Sequence, residues 1–272
     1  MNIVDSTHYL PAEGYVQAIE ILRGYTGIVL LSFAKHSSES REAIIRNFIA
    51  RGMACLESIL QIWRLGNFQD CWILHRSLLD RLFHLRALWD RDEFDIFEKW
   101  SFVRQFEDKN CLLSDPEVRK KLKPEVLSFS TREKKRYAQI KQENISWSRP
   151  KAEQMAKEMD LLFLYKFGYD YASTHVHPMA NDGEEDFLRL TGLSSGSRPG
   201  QMVVLHNSFL VQILLTQEGL NASSLRWRAI VYDFLEHCML LLASGSQEYL
   251  KTFAKIASLG SDFEWCQPAP NS

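Results

Sequence analysis

Cysteine is scarce in this sequence and follows no pattern. Cys55, Cys71, Cys111, Cys238 and Cys266 are the only five in 272 residues, an odd and scattered set with no CxxC pair. A disulfide framework or a zinc knuckle needs closer spacing, so neither is expected, and the thiols read as reduced and mostly buried. Turn formers are also few. With 13 Gly and 8 Pro, the chain lacks the frequent turns of a sandwich or barrel. Neither sign of charge dominates: 32 Lys/Arg stand against 34 Asp/Glu, which argues against a chain held wholesale on nucleic acid or anionic lipid. The longest apolar stretches, around Gly27–Ala34 and Val203–Thr216, are too short or too polar to span a bilayer. The first residues lack the basic and apolar regions of a signal peptide. A soluble, cytoplasmic protein without a membrane partner is therefore expected. GxGxxG, GxxxxGK[ST], GxSxG and HExxH are all missing, so dinucleotide-fold, P-loop, α/β-hydrolase and zincin readings have no support and no cofactor is expected.

What is present is helical periodicity. Hydrophobic residues make up 46% and aromatics 12% of the chain, ample for a packed core. Apolar positions repeat at helical spacing over Gly14–Lys35, from Ser40 to Leu65, and from Gly66 to Trp89. Ser40 is placed as an N-cap and Gly66-Asn67 as a stop. The pattern returns over Glu93–Leu113, Ala152–Pro178, Gln201–Gln217, Ser223–Ala243 and Gln247–Ser258. The fold class expected is all-α: a single multi-helix bundle over residues 1–272, built around an antiparallel hairpin of the second and third helices. Residues 114–151 read as a basic surface insertion, 179–200 as a loop bearing Asp182, Glu184, Glu185 and Asp186, and 267–272 as a disordered tail. Between Asp115 and Lys151 there are 11 Lys/Arg and 5 Asp/Glu, so this segment could follow a phosphate backbone or be a solvated lysine-rich face.

The third helix carries the chemistry. Arg76, Asp80 and His84 lie four residues apart and form one polar line along an otherwise apolar rod. Buried charge needs a partner. Asp80 is expected to orient the Arg76 guanidinium, which then presents its remaining donors to a carboxylate, a phosphate or a carbonyl. The alternative is an internal ion pair that only ties helices together. A second line, Tyr165, Tyr169, Ser173 and His177, enters the 179–200 loop. It could bind and move protons through His177, or the tyrosines could pack in the core while His177 meets a helix C-terminus. Asp80, His84, His175 and His177 could supply metal ligands, but the repeated Glu-x-x-His pairs of di-iron bundles are absent and no metal is assigned.

These two elements, Arg76 with Asp80 and Tyr169, Ser173, His177 with Pro178, resemble a widespread bacterial family known only as a domain of unknown function. Its members carry Arg-x-x-x-Glu/Asp and, about a hundred residues on, Tyr-x-x-x-Ser-x-x-x-His-Pro. The resemblance covers roughly Ala50 to Pro178, with Asp80 where the family tends to have Glu. It implies an all-helical cytoplasmic protein linked to stress or phage-defence loci. Helical ribonucleases of such loci use an Arg-x(4–6)-His motif. Arg76 and His84 are separated by seven residues and Arg81 and His84 by two, so that motif is missing. Three readings stand. One is a binding site for a phosphate- or carboxylate-bearing ligand, or nucleic acid, at Arg76, Asp80, Tyr169 and His84. Another is a hydrolase or ribonuclease-like enzyme with His177 as general acid/base and Ser173 beside it. The last is a structural or interaction protein, with dimerisation left open.

Overall fold

The computed structural model describes residues 9–36, 40–121, 128–176, 180, 183–193, 201–224, 235 and 239. It is about 82% helical, and no strand occurs among the described residues. The chain divides into two compact units, one of Met1–Arg86 with Pro150–Ser272 and one of Ala87–Arg149.

The first unit is built on α1 (Ala12–His36), α2 (Ser40–Arg64) and α3 (Phe68–Asp90). On α1, Tyr15, Ala18, Ile19, Leu22, Tyr25, Val29 and Phe33 recur at three- and four-residue steps, and all are buried. By length and composition Ala12–Lys35 could also cross a membrane, and 44% of its most apolar stretch is buried within the protein. Gly66 ends α2 with a φ of 77°, and Asn67 N–H closes the turn on Ile62 O at 3.3 Å. Across α2 and α3, Cys55 Sγ meets Leu74 O and Cys71 Sγ meets Ile59 O. Positions rising along α2 therefore face positions falling along α3.

A later helix, α10, packs against α1 and α2; its place in the chain is Gln201–Asn221. Two glycines set its distance from α2. A Cβ on Gly52 would lie 2.4 Å from Gln212 Oε1 and 2.5 Å from Leu215 Cδ2, and one on Gly219 would lie 2.6 Å from Ile49 Cδ1. The ends are tied by polar contacts: Arg41 donates to Ala222 O, and Glu42 Oε1 accepts from Ser224 N and Ser224 Oγ, both at 2.9 Å.

Between these lie α7 (Ala152–Glu158) and α8, the latter in three continuous pieces: Leu162–Leu164, a π-helical turn Tyr165–Asp170, and Tyr171–Thr174. Asp160 stops α7 with a φ of 56°, and Leu161 N–H bonds Ala156 O at 2.7 Å. An aspartate takes the left-handed position that glycine usually fills. The single helix read from the sequence is thus two. The segment read as a loop contains a short helix, α9 (Glu184–Leu190), closed by Gly192 at φ 72°.

The second unit holds α4 (Phe94–Ser114), α5 (Pro116–Lys121) and α6 (Thr131–Gln142). Ser130 and Glu133 form a reciprocal capping box at the start of α6. Carboxylates of α4 take up cations of the basic segment: Glu98 pairs with Arg136, and Glu107 with Lys141 at 2.6 Å. Phe106 stacks on Phe129 and on Tyr137 at 3.9 and 4.1 Å. Trp147 donates to Glu93 at 3.0 Å and lies 4.8 Å from both Phe97 and Trp100. Over 87–149 the sequence has 14 Lys/Arg against 12 Asp/Glu, so the basic run is largely offset within this unit.

The readings of helices over Ser223–Ala243 and Gln247–Ser258, and of a tail at 267–272, fall almost wholly outside the described residues.

Candidate functional site

The site is made where α8 lies along α3. Leu164, Gly168 and Ala172, four residues apart, are the buried line of α8. Gly168 is the point of closest approach: a Cβ there would sit 2.7 Å from His75 Nε2 and 3.2 Å from Leu79 Cδ1. Only a glycine lets the helices meet at this distance. A π turn takes more residues per revolution than the 3.6 of an α-helix, so residues four apart on α8 stay nearly in line with its axis. Two aromatic lines then flank the buried one. Tyr165 and Tyr169 stack at 5.6 Å on one side; Phe163, Phe167 and Tyr171 lie on the other.

Tyr169 is the meeting point of the expected residues. The Arg76 guanidinium carbon stands 4.8 Å from its ring centre, and Nη2 reaches its hydroxyl at a long 3.5 Å. Burial holds the Tyr169 phenol above its usual pKa; the hydrogen bond from Arg76 opposes this, and the Asp80 carboxylate beside the hydroxyl reinforces it. Arg76 and Asp80 thus both lie at the Tyr169 hydroxyl, and no ion pair joins them directly among the described residues. Arg76 Nε is shut off from water and has no hydrogen-bond partner among the described residues.

Ser173 Oγ donates to Tyr169 O at 2.8 Å, a bond back into its own helix. His84 Nδ1 donates to Asp80 O at 2.6 Å, which assigns the proton to that nitrogen. His177, the expected acid/base, lies outside the described residues, as does Pro178. His175 sits at the opposite end of the contact from Asp80, edge-on to Tyr171 at 4.9 Å, and Tyr171 in turn meets Trp72 at 5.2 Å. Among the described residues no group of three or more His, Cys, Asp or Glu could hold a metal ion.

His75 had no place in the sequence reading, yet it lies at the centre of this contact. It is fully buried, its Nδ1 bonds Ser208 Oγ at 2.9 Å, and its Nε2 has no partner among the described residues. Burial drives its pKa down to about 3, so it is neutral at physiological pH. Its sequence signal was weak, since one residue before Arg76 places it about 100° round the helix from the polar line.

The model of a Family of unknown function (DUF5677) matches residues 42–191, more than half of the chain, and the chain belongs to that family. No curated protein and no solved structure matches. The matched span takes in α2, α3 and α8, and hence Arg76, Asp80, Tyr169 and Ser173.

Proposed function

Starting from membership of a family defined over that span, we propose that the protein binds an anionic ligand, a phosphate- or carboxylate-bearing molecule, at Arg76. The observation that carries this is the state of the guanidinium. Its Nε is buried without a partner, its one hydrogen bond is long, and no carboxylate among the described residues pairs with it as Glu98 does with Arg136 or Glu107 with Lys141. A buried N–H left unpaired is costly, roughly 1–3 kcal/mol, and more for a charged group. Because Nε is closed to water, a ligand reaches it only as the contact opens, and Nε and an Nη together then present the parallel donors that a carboxylate or phosphate accepts in bidentate fashion. Tyr169 holds the guanidinium plane by its ring face, and its hydroxyl joins Asp80 to the arrangement.

Binding is favoured over turnover. Ser173 spends its proton on Tyr169 O, so among the described residues no base is set to activate it as a nucleophile. Thermal unfolding in a series of sodium salts tests the reading. Phosphate should raise the midpoint of the wild type saturably beyond chloride at equal ionic strength, and Arg76→Met should remove that gain while leaving the chloride midpoint nearly unchanged. Equal responses of the two proteins to phosphate would reject it.

A further inference from the structure

The charges of the second unit are nearly even in number but not in place. Most of its carboxylates are taken: Glu98 by Arg136, Glu107 by Lys141, Asp95 and Glu143 by Lys99, and Glu117 by Lys120. Three cations at the start of α6 are left over. Arg132, Lys134 and Lys135 are exposed, and none has an ion pair or a side-chain hydrogen bond among the described residues. Stability alone would not put them there. The first turn of a helix lies at the positive end of its dipole and favours acids, and Arg132 and Lys135, three residues apart, repel each other. The one acid among them, Glu133, turns back to Ser130 N and Ser130 Oγ, both at 2.7 Å. A local rule broken without a compensating contact points to a function.

The same edge of α6 leads into a hollow. Arg132, Arg136 and Gln139 follow one another at four- and three-residue steps, and so do Lys135, Gln139 and Gln142. Arg136, Gln139 and Gln142 line an open hollow of about 590 Å³ together with Lys99, Ile140 and Glu143. Its charged residues are paired, so the amides of Gln139 and Gln142 are its unpaired polar groups among the described residues. Unpaired cations leading to unpaired amides match a polymer that repeats phosphates and carries hydrogen-bonding edges between them. A lipid surface matches less well. The apolar residues of α6 that would enter it are already packed: Tyr137 stacks on Phe106, and Ile140 is buried.

We propose that this face of α6 binds the phosphate backbone of a nucleic acid, with Arg132, Lys134 and Lys135 on neighbouring phosphates and Gln139 and Gln142 towards the sugar or base edges. Exposed cations hold a free phosphate ion poorly. Phosphates linked in one chain, each giving up condensed counterions, supply the affinity. Arg76 belongs to the first unit and takes no part.

Fluorescence anisotropy of the full chain tests it, with a labelled single-stranded RNA of about 20 nucleotides and a duplex DNA of similar length over a series of sodium chloride concentrations. The wild type should bind at least one of the two at low salt. Its affinity should fall with salt at a log–log slope of about −2 to −3, as three phosphate contacts require. Arg132→Gln combined with Lys135→Gln should weaken binding about tenfold or more and make the slope shallower by about 1 to 2. The melting temperature of that variant should be no lower than that of the wild type, since the helix dipole gains from the change. Lys157→Gln, which removes a lysine from α7 in the first unit, should alter binding less than about twofold. No binding to either nucleic acid, an unchanged affinity in the double variant, or an equal loss in Lys157→Gln would overturn the proposal. So would binding to phosphatidylserine vesicles without binding to RNA or DNA.

Discussion

Arg76 and His75 are neighbours in sequence and hold opposite kinds of polar group in the same contact. Arg76 keeps its charge and leaves a donor open. His75 gives up its charge, with a pKa near 3 against 6.5 for an ordinary histidine. A histidine whose folded-state pKa is depressed stabilises the fold above the unfolded value and loses that contribution as pH falls towards the folded one. Stability should therefore decline from pH 6.5 towards pH 3, by roughly 3 kcal/mol between pH 6.5 and 4 at about 1.4 kcal/mol per unit. Urea unfolding at several pH values measures this, and His75→Gln, less stable at neutral pH, should lose most of that slope. Identical slopes in the two proteins would show that His75 is not held neutral by the fold.

At the scale of helices, the decisive residues are the glycines at close crossings and the residues that end helices. Gly168→Ala places a methyl group into His75 Nε2 and Leu79 and should destabilise by about 1–3 kcal/mol. Gly27→Ala has nothing within 4 Å on α1 and should stabilise by about 0.5–1 kcal/mol, as alanine does in an open helix. Thermal melts of the two variants should shift in opposite directions; a shared direction would contradict the packing described. The same contrast shows what the sequence could reveal. Gly66 marked a helix end because left-handed glycine has a strong local preference, and it stands where it was placed; Ser40, read as a cap, is the first residue of α2 itself. Asp92 and Asp160 end helices in the left-handed conformation too, but aspartate has many other uses, so the break after α7 was not legible. Nor was the π turn, whose sequence YKFGYD carries ordinary helical periodicity. Among site residues, the four-residue spacings gave the two lines that meet at Tyr169. Their connection through a phenol was not legible, since it depends on the distance Gly168 sets between two helices far apart in sequence.

For the molecule as a whole, the two compact units answer to different chemistry. The first is sensitive to protonation of a buried imidazole. The second, 87–149, is laced by surface pairs such as Glu107 with Lys141, where the hydrogen bond from the lysine holds the Glu107 carboxyl below its usual pKa. A carboxylate with a lowered pKa stabilises above its unfolded value of 4.5 and loses the contribution as pH falls through the folded one. Exposed pairs of this kind contribute little individually. Acid should accordingly weaken the first unit from about pH 6.5 downward and the second only below about pH 4.5. Tryptophan variants that keep either Trp72 or Trp147 as sole reporter of its unit would separate the two transitions, and coincident curves would contradict separate control.

The open donor on Arg76 remains the centre of the account, and NMR can observe it directly. In the ¹⁵N-correlated spectrum of the wild type, the Arg76 Hε signal, assigned by its loss in Arg76→Lys, should lie at the position of an N–H without an acceptor. On titration with inorganic phosphate it should move downfield and saturate, while the Hε signals of exposed arginines such as Arg132 stay in place. A signal that does not respond to phosphate, or one already shifted downfield before any is added, would contradict an anion site at Arg76.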